Sequence, residues 1–229
     1  MREKLDISAY LVLGPENVVG RSVGDVVCAA VSEGFTCIQV RSKVCSAREL
    51  MACTAEAAAS IARCGAEESV ALLVDDRLDV ALAAREAGVK VDGVHVGQSD
   101  VPVEVCRAFL GADGIVGLSA RPDEMLEYVR TADVSCVDYF GVGPLHETAT
   151  KPDCGLDESG SVIVKTLSEI EALVLASPVP IVVGGGVKRD DLAALRDTGA
   201  AGFFVVSAVC AADDPARAAA ELVSTWRMA

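Results

Sequence analysis

Apolar residues fall into short runs, separated by longer stretches in which they recur at helical spacing. Eight runs have strand length: residues 9–14, 37–41, 70–76, 93–97, 115–120, 136–143, 180–186 and 202–209. Between the second and third, Leu50, Thr54, Ala57, Ala58 and Ile61 share one helical face. Ser46 and Glu49 are spaced as a capping box that opens this helix, and Gly65 is placed to stop it. Gly88, Gly111 and Gly199 punctuate later helix-to-strand turns, while Asp214 and Pro215 suit the cap and first turn of the last helix.

Strands alternating with helical segments predict βαβ units and a parallel sheet. Eight even units with polar residues gathered at strand C-termini favour an α/β fold of the (β/α)8 TIM barrel type over a doubly wound open sheet. The 229 residues show no linker or low-complexity tract, so one barrel domain over 1–229 is expected. The longest connection, residues 144–161 after the sixth strand, contains Thr148, Thr150, Lys151 and Asp153. Loops of that length are usually functional, and this one reads as a lid or substrate loop.

Composition narrows the partners. The chain is 52% hydrophobic but only 4% aromatic, so Val, Leu, Ile and Ala must fill the core. A net charge of −14 argues against nucleic acid and anionic membrane as partners. Any phosphate site must therefore reverse that field locally. The nine cysteines include no C-x-x-C pair, and neither histidine has zinc-finger spacing, which argues against a structural zinc. With no signal-like N-terminus and no apolar run of about 18 residues, a cytoplasmic location is expected.

The polar strand ends carry the candidate chemistry. Gln39, Arg41 and Lys43 alternate onto one side of the second strand, where they either converge on an anion or form a solvated strand end. The third strand ends in Asp75 and Asp76, and the fourth leads to Asp100. Paired strands lie about 4.8 Å apart, so Asp76 and Asp100 can meet one hard cation such as Mg²⁺. The alternative is that Asp76 caps the following helix. Ser119 closes the fifth strand without a Ser-His-Asp pattern, which sets hydrolase chemistry aside. The seventh run ends in Gly184, Gly185 and Gly186 and the eighth in Val206, Ser207 and Ala208, where barrels bind phosphate, or else the three glycines make a tight turn. His95 reads as a satisfied core histidine, His146 as a solvated loop residue and Trp226 as packing.

Taken in order from Gln39 to Pro215, these segments resemble the thiamine phosphate synthase family. The resemblance rests on Gln39 to Lys43, Asp76 to Ala83, Gly93 to Gln98 with Asp100, Gly117 to Ala120, Tyr139 to Pro144, Thr148 to Lys151, Gly185 with Gly186, and Ser207 with Ala208. It implies a transferase that joins 4-amino-5-hydroxymethyl-2-methylpyrimidine diphosphate to thiazole phosphate and releases pyrophosphate by a dissociative path. Asp76 and Asp100 would hold Mg²⁺, and Arg41, Lys43 and Lys151 would contact pyrophosphate. Ser119 would lie at the reacting centre, with Lys43, Ser119 and Lys151 as the catalytic set. Gln39 and Asp75 belong to the same substrate site, while Thr148, Thr150, Gly186 and Ser207 would bind the thiazole phosphate. The implied partners are two small molecules, and assembly with further copies of the chain stays open.

Two positions separate the chain from its relatives. The family usually has Asn immediately before the metal-binding Asp, where this chain has Asp75. A related branch, the thiazole tautomerases, uses a His two residues after the matched Ser, where this chain has Arg121. A non-catalytic phosphate-binding barrel is a further alternative.

Overall fold

The computed structural model describes residues 2–120, 125–147 and 162–229. Its strands are β1 (Ala9–Leu13), β2 (Cys37–Val40), β3 (Ala71–Asp75), β4 (Gly93–Val96), β5 (Ile115–Ser119), β6 (Tyr139–Val142), β7 (Ile181–Val183) and β8 (Gly202–Val205). Each pairs in parallel with the next, and β8 pairs back onto β1, so the sheet closes into an eight-stranded barrel. The helices are α1 (Val23–Ser32), α2 (Ala47–Arg63), α3 (Leu78–Glu86), α4 (Val103–Leu110), α5 (Met125–Thr131), α6 (Leu167–Ala176), α7 (Leu192–Asp197), α8 (Ser207–Cys210) and α9 (Pro215–Met228).

Alternation along the strands builds two apolar layers. Tyr10, Val12, Cys37, Leu73, Tyr139 and Val182 fill the barrel interior. Their neighbours, such as Leu11, Ile38, Leu72, Val94 and Phe140, face outward into the layer beneath the helices. With both faces buried, the strands read as continuous apolar runs. The helix signals are equally local. In α2 the expected capping box is present, and Leu50, Thr54, Ala57, Ala58 and Ile61 are buried. Asp214 caps α9 with Pro215 in its first turn, and Trp226 packs 5.5 Å from Phe203. Among the described residues, no helix is long and apolar enough to cross a membrane.

The apolar run at 202–209 is not one strand. β8 ends at Val205, and Ser207–Cys210 forms a single helical turn in which Cys210 N donates to Val206 O at 2.9 Å. A short apolar run does not distinguish a strand from a buried helical turn by periodicity. The sixth strand likewise starts at Tyr139 rather than at residue 136. Just before it, Asp138 is drawn into bonds with Val116 N and Arg107 at the barrel's lower end.

One glycine measures how tightly the barrel closes. A Cβ on Gly93 would lie 1.9 Å from the Ile115 carbonyl oxygen on β5. Backbone cannot yield as a side-chain tip can. Gly93→Ala is therefore expected to destabilise the fold by about 3 kcal/mol, read as a lower urea midpoint. An unchanged midpoint would show that β4 and β5 can separate at no cost.

Candidate active site

The C-terminal ends of β2, β3 and β4 bring together most of the charged residues singled out in the sequence. Gln39 and Arg41 lie on the inward side of β2 and its extension, and Asp75 lies on the inward side of β3. Arg41 Nε is 3.1 Å from Asp75 Oδ2, and both side chains are largely buried. The Asp75 carboxylate thus faces the guanidinium. Gln39 is 4% exposed, and its Nε2 has no hydrogen-bond partner among the described residues. A buried amide donor left open beside the rim is suited to a ligand acceptor.

Alternation alone would turn Asp76 away from Asp75, toward the helix layer. Its φ of 57° instead bends the chain in the left-handed region, which Asp tolerates better than most residues but at some cost. The bend delivers the Asp76 carboxylate to the Lys43 ammonium and against Asp100. Asp76 is not the cap of α3, because Arg77 occupies that position and makes no side-chain cap bond. Asp100 accepts from Gly97 N at 2.8 Å, which fixes its carboxylate at the end of β4.

The electrostatics of this group are unequal. Burial acts to raise the Asp76 pKa, but hydrogen bonds from the Lys43 ammonium and from the Asp100 carboxyl when it is protonated outweigh it and hold Asp76 below its ordinary value. Burial and the neighbouring Asp76 push Asp100 the other way, above its ordinary value. For Lys43, burial pulls the ammonium down while Asp76 more than restores it. Two adjacent carboxylates with one cation on one of them leave negative charge to be neutralised. Among the described residues no cluster of three or more His, Cys, Asp or Glu is arranged around a metal position.

Ser119 sits at the end of β5, where Gln98 Nε2 donates to its carbonyl at 2.7 Å and to Tyr128 Oη at 2.9 Å. Its hydroxyl lies 3.0 Å from His95 Nε2, and the other ring nitrogen is 3.0 Å from Tyr139 Oη. His95 is satisfied, as expected from the sequence, but it is only partly buried and its partner is the candidate site residue Ser119. The signal was available in the alternation of Gly93, His95 and Gly97, which puts His95 on the inward side. What it would touch there depended on β5.

The opposite half of the rim is backbone. Gly185 and Gly186 have φ of 80° and 73°, a conformation that L side chains rarely adopt. The turn they make is stapled to the chain leaving β6, since Leu145 N and His146 N each donate to Gly185 O at 3.0 Å. His146, read as solvated, bonds Asp191 at 2.9 Å through Nε2. Ser207 is exposed at the first position of α8. Thr148, Thr150, Lys151, the rest of the loop to 161, and Arg121 lie outside the described residues.

A closed eight-stranded barrel with charged side chains on one half of its C-terminal rim and a glycine turn on the other defines a (β/α)8 enzyme built to handle anionic small molecules. The thiamine monophosphate synthase family model matches residues 9–209. A thiamine-phosphate synthase from Corynebacterium efficiens is 39% identical over 227 residues, covering 98% of this chain and 97% of its own. One from Natronomonas pharaonis is 38% identical over 218 residues, covering 95% and 94%. The solved thiamine phosphate pyrophosphorylase from Pyrococcus furiosus superposes with a TM-score of 0.77 at 28% identity, covering 99% of this chain and 98% of its own. The chain belongs to the thiamine monophosphate synthase family. It is a transferase of thiamine biosynthesis acting on small-molecule substrates.

Proposed function

We infer that this chain, as a single barrel domain, joins 4-amino-5-hydroxymethyl-2-methylpyrimidine diphosphate to thiazole phosphate. The bond from the pyrimidine methylene carbon to the diphosphate oxygen breaks, and the pair of electrons leaves with pyrophosphate. The thiazole nitrogen then donates its lone pair to the methylene carbon, giving thiamine phosphate. A dissociative step of this kind asks the protein mainly to stabilise charge on the leaving group. The observation that carries this reading is the convergence of Arg41, Lys43, Asp76 and Asp100 on one sector of the rim.

The division of the rim supports a role for each part. Arg41 and Lys43, with Lys151, offset the acidic background and bind the pyrophosphate. Ser119 lies at the reacting centre, and Gln39 offers its open amide donor to the pyrimidine substrate. The glycine turn at Gly186, with Ser207, Thr148 and Thr150, binds the thiazole phosphate through backbone and hydroxyl groups. Asp75 holds Arg41 in place.

Asp76 and Asp100 fit a hard divalent cation, because they are adjacent oxygen donors whose mutual repulsion a cation relieves. Mg²⁺ held there would supply positive charge to the pyrophosphate leaving group. The eight cysteines among the described residues are free thiols, which suits the reducing cytoplasm in which we place the enzyme.

Incubation with both substrates and Mg²⁺ is expected to release pyrophosphate and thiamine phosphate in equal amounts. Binding of thiazole phosphate without release would instead identify a phosphate-binding barrel, and isomerisation of the thiazole alone would identify a tautomerase.

A further inference from the structure

The barrel interior contains a file of hydrogen-bonded side chains that ends at Ser119. Tyr10 and Tyr139 meet hydroxyl to hydroxyl at 2.8 Å, Tyr139 Oη lies 3.0 Å from His95 Nδ1, and His95 Nε2 lies 3.0 Å from Ser119 Oγ. The strands make room for it. A Cβ on Gly117 would sit 2.2 Å from the Tyr139 ring, and one on Gly141 would sit 2.9 Å from His95 Cε1. Two bare positions on β5 and β6 therefore form the slot that both rings fill. Burial pushes the phenol pKa of Tyr10 and Tyr139 well above the ordinary value, so both keep their protons.

Such a file can run in either of two directions. If Ser119 donates to His95, serine lone pairs face the rim. If His95 Nε2–H donates to Ser119, the serine proton is left for a ligand. An anion on the rim needs donors and selects the second direction. His95 Nδ1 then accepts from the Tyr139 hydroxyl, which in turn accepts from Tyr10. Each hydroxyl donates once.

We propose that Tyr139 and His95 are positioning residues that hold Ser119 as a hydrogen-bond donor toward the departing pyrophosphate. The proposal rests on the synthase reading and on the place of Ser119 in it. Losing one donor to a developing oxyanion costs about a hundredfold in kcat. Ser119→Ala is expected to lose that much. His95→Leu should lose about as much, with KM within about twofold, and should cost less than about twofold further in the Ser119→Ala background. His95→Gln, whose amide N–H can reach the same oxygen, should recover most of the loss.

Independent, multiplying losses, a loss confined to KM, or a Gln variant no better than Leu would each overturn the proposal while leaving the synthase reading intact. A harmless Ser119→Ala would remove Ser119 from the site and the proposal with it. A readout free of turnover is the ¹⁵N spectrum of the imidazoles, assigned with His146→Gln because the chain has two histidines. With inorganic pyrophosphate and Mg²⁺ bound, His95 should carry its proton on Nε2, and Tyr139→Phe should weaken that preference. A ring protonated on Nδ1 alone would overturn the proposal even in an inactive protein.

Discussion

Asp100→Asn is expected to lower turnover by about a thousandfold, or about 4 kcal/mol of transition-state stabilisation, while the barrel stays folded. The substitution keeps an oxygen for Gly97 N, which the Asp100 carboxylate now accepts at 2.8 Å. It removes one of the two charges on which the proposed cation site depends. The stability effect should have the opposite sign. Burial and the neighbouring Asp76 raise the Asp100 pKa in the folded protein, so ionising Asp100 weakens the fold as pH rises through that raised value. Without divalent metal at neutral pH, the Asn variant should therefore unfold at an equal or higher urea concentration than the parent. Mg²⁺ should raise the urea midpoint of the parent and not of the variant. Full turnover in Asp100→Asn would sink the metal assignment. A lower urea midpoint in metal-free buffer would sink the repulsion argument.

The second large effect concerns Asp75. Asp75→Leu is expected to destabilise the fold by about 3–5 kcal/mol, because it leaves the Arg41 guanidinium buried without its carboxylate. The pair is held at 3.1 Å with little exposure of either side chain, so solvent screens it weakly. Asp75→Asn keeps a carbonyl oxygen for Arg41 and removes one negative charge beside the proposed pyrophosphate position. It should cost much less stability and should hold or raise turnover. Urea unfolding and steady-state rates of the two variants decide the matter. A turnover loss in Asp75→Asn as deep as that of Asp100→Asn would make Asp75 a working ligand rather than the anchor of Arg41.

Much of the fold was legible because its signals are local. The capping box of Ser46 and Glu49, the helical face through Leu50 and Ile61, and the eight apolar runs all report interactions within a few residues of chain. The exceptions were also local in kind. A buried turn at Ser207–Cys210 and the end of a strand have the same apolar composition. The site was legible as a set of residue types at strand ends, and resemblance supplied roles for them. Contacts across strands were not. His95 looked like a core residue because nothing near it in sequence reveals that Ser119 stands 3.0 Å from its ring.

The charged rim shows where the division falls. Period and spacing, which are properties of the local backbone, already imply eight strand–helix units with Gln39, Arg41, Lys43, Asp76, Asp100 and Ser119 at strand C-termini. The partner of each carboxylate is set by the closed sheet. Asp75 and Asp76 are chemically identical neighbours. One continues the strand and meets Arg41 inside the barrel. The other takes a φ of 57° and is carried to Lys43 and Asp100. That separation depends on a backbone bend and on partners from β2 and β4, which come within reach only when the sheet closes.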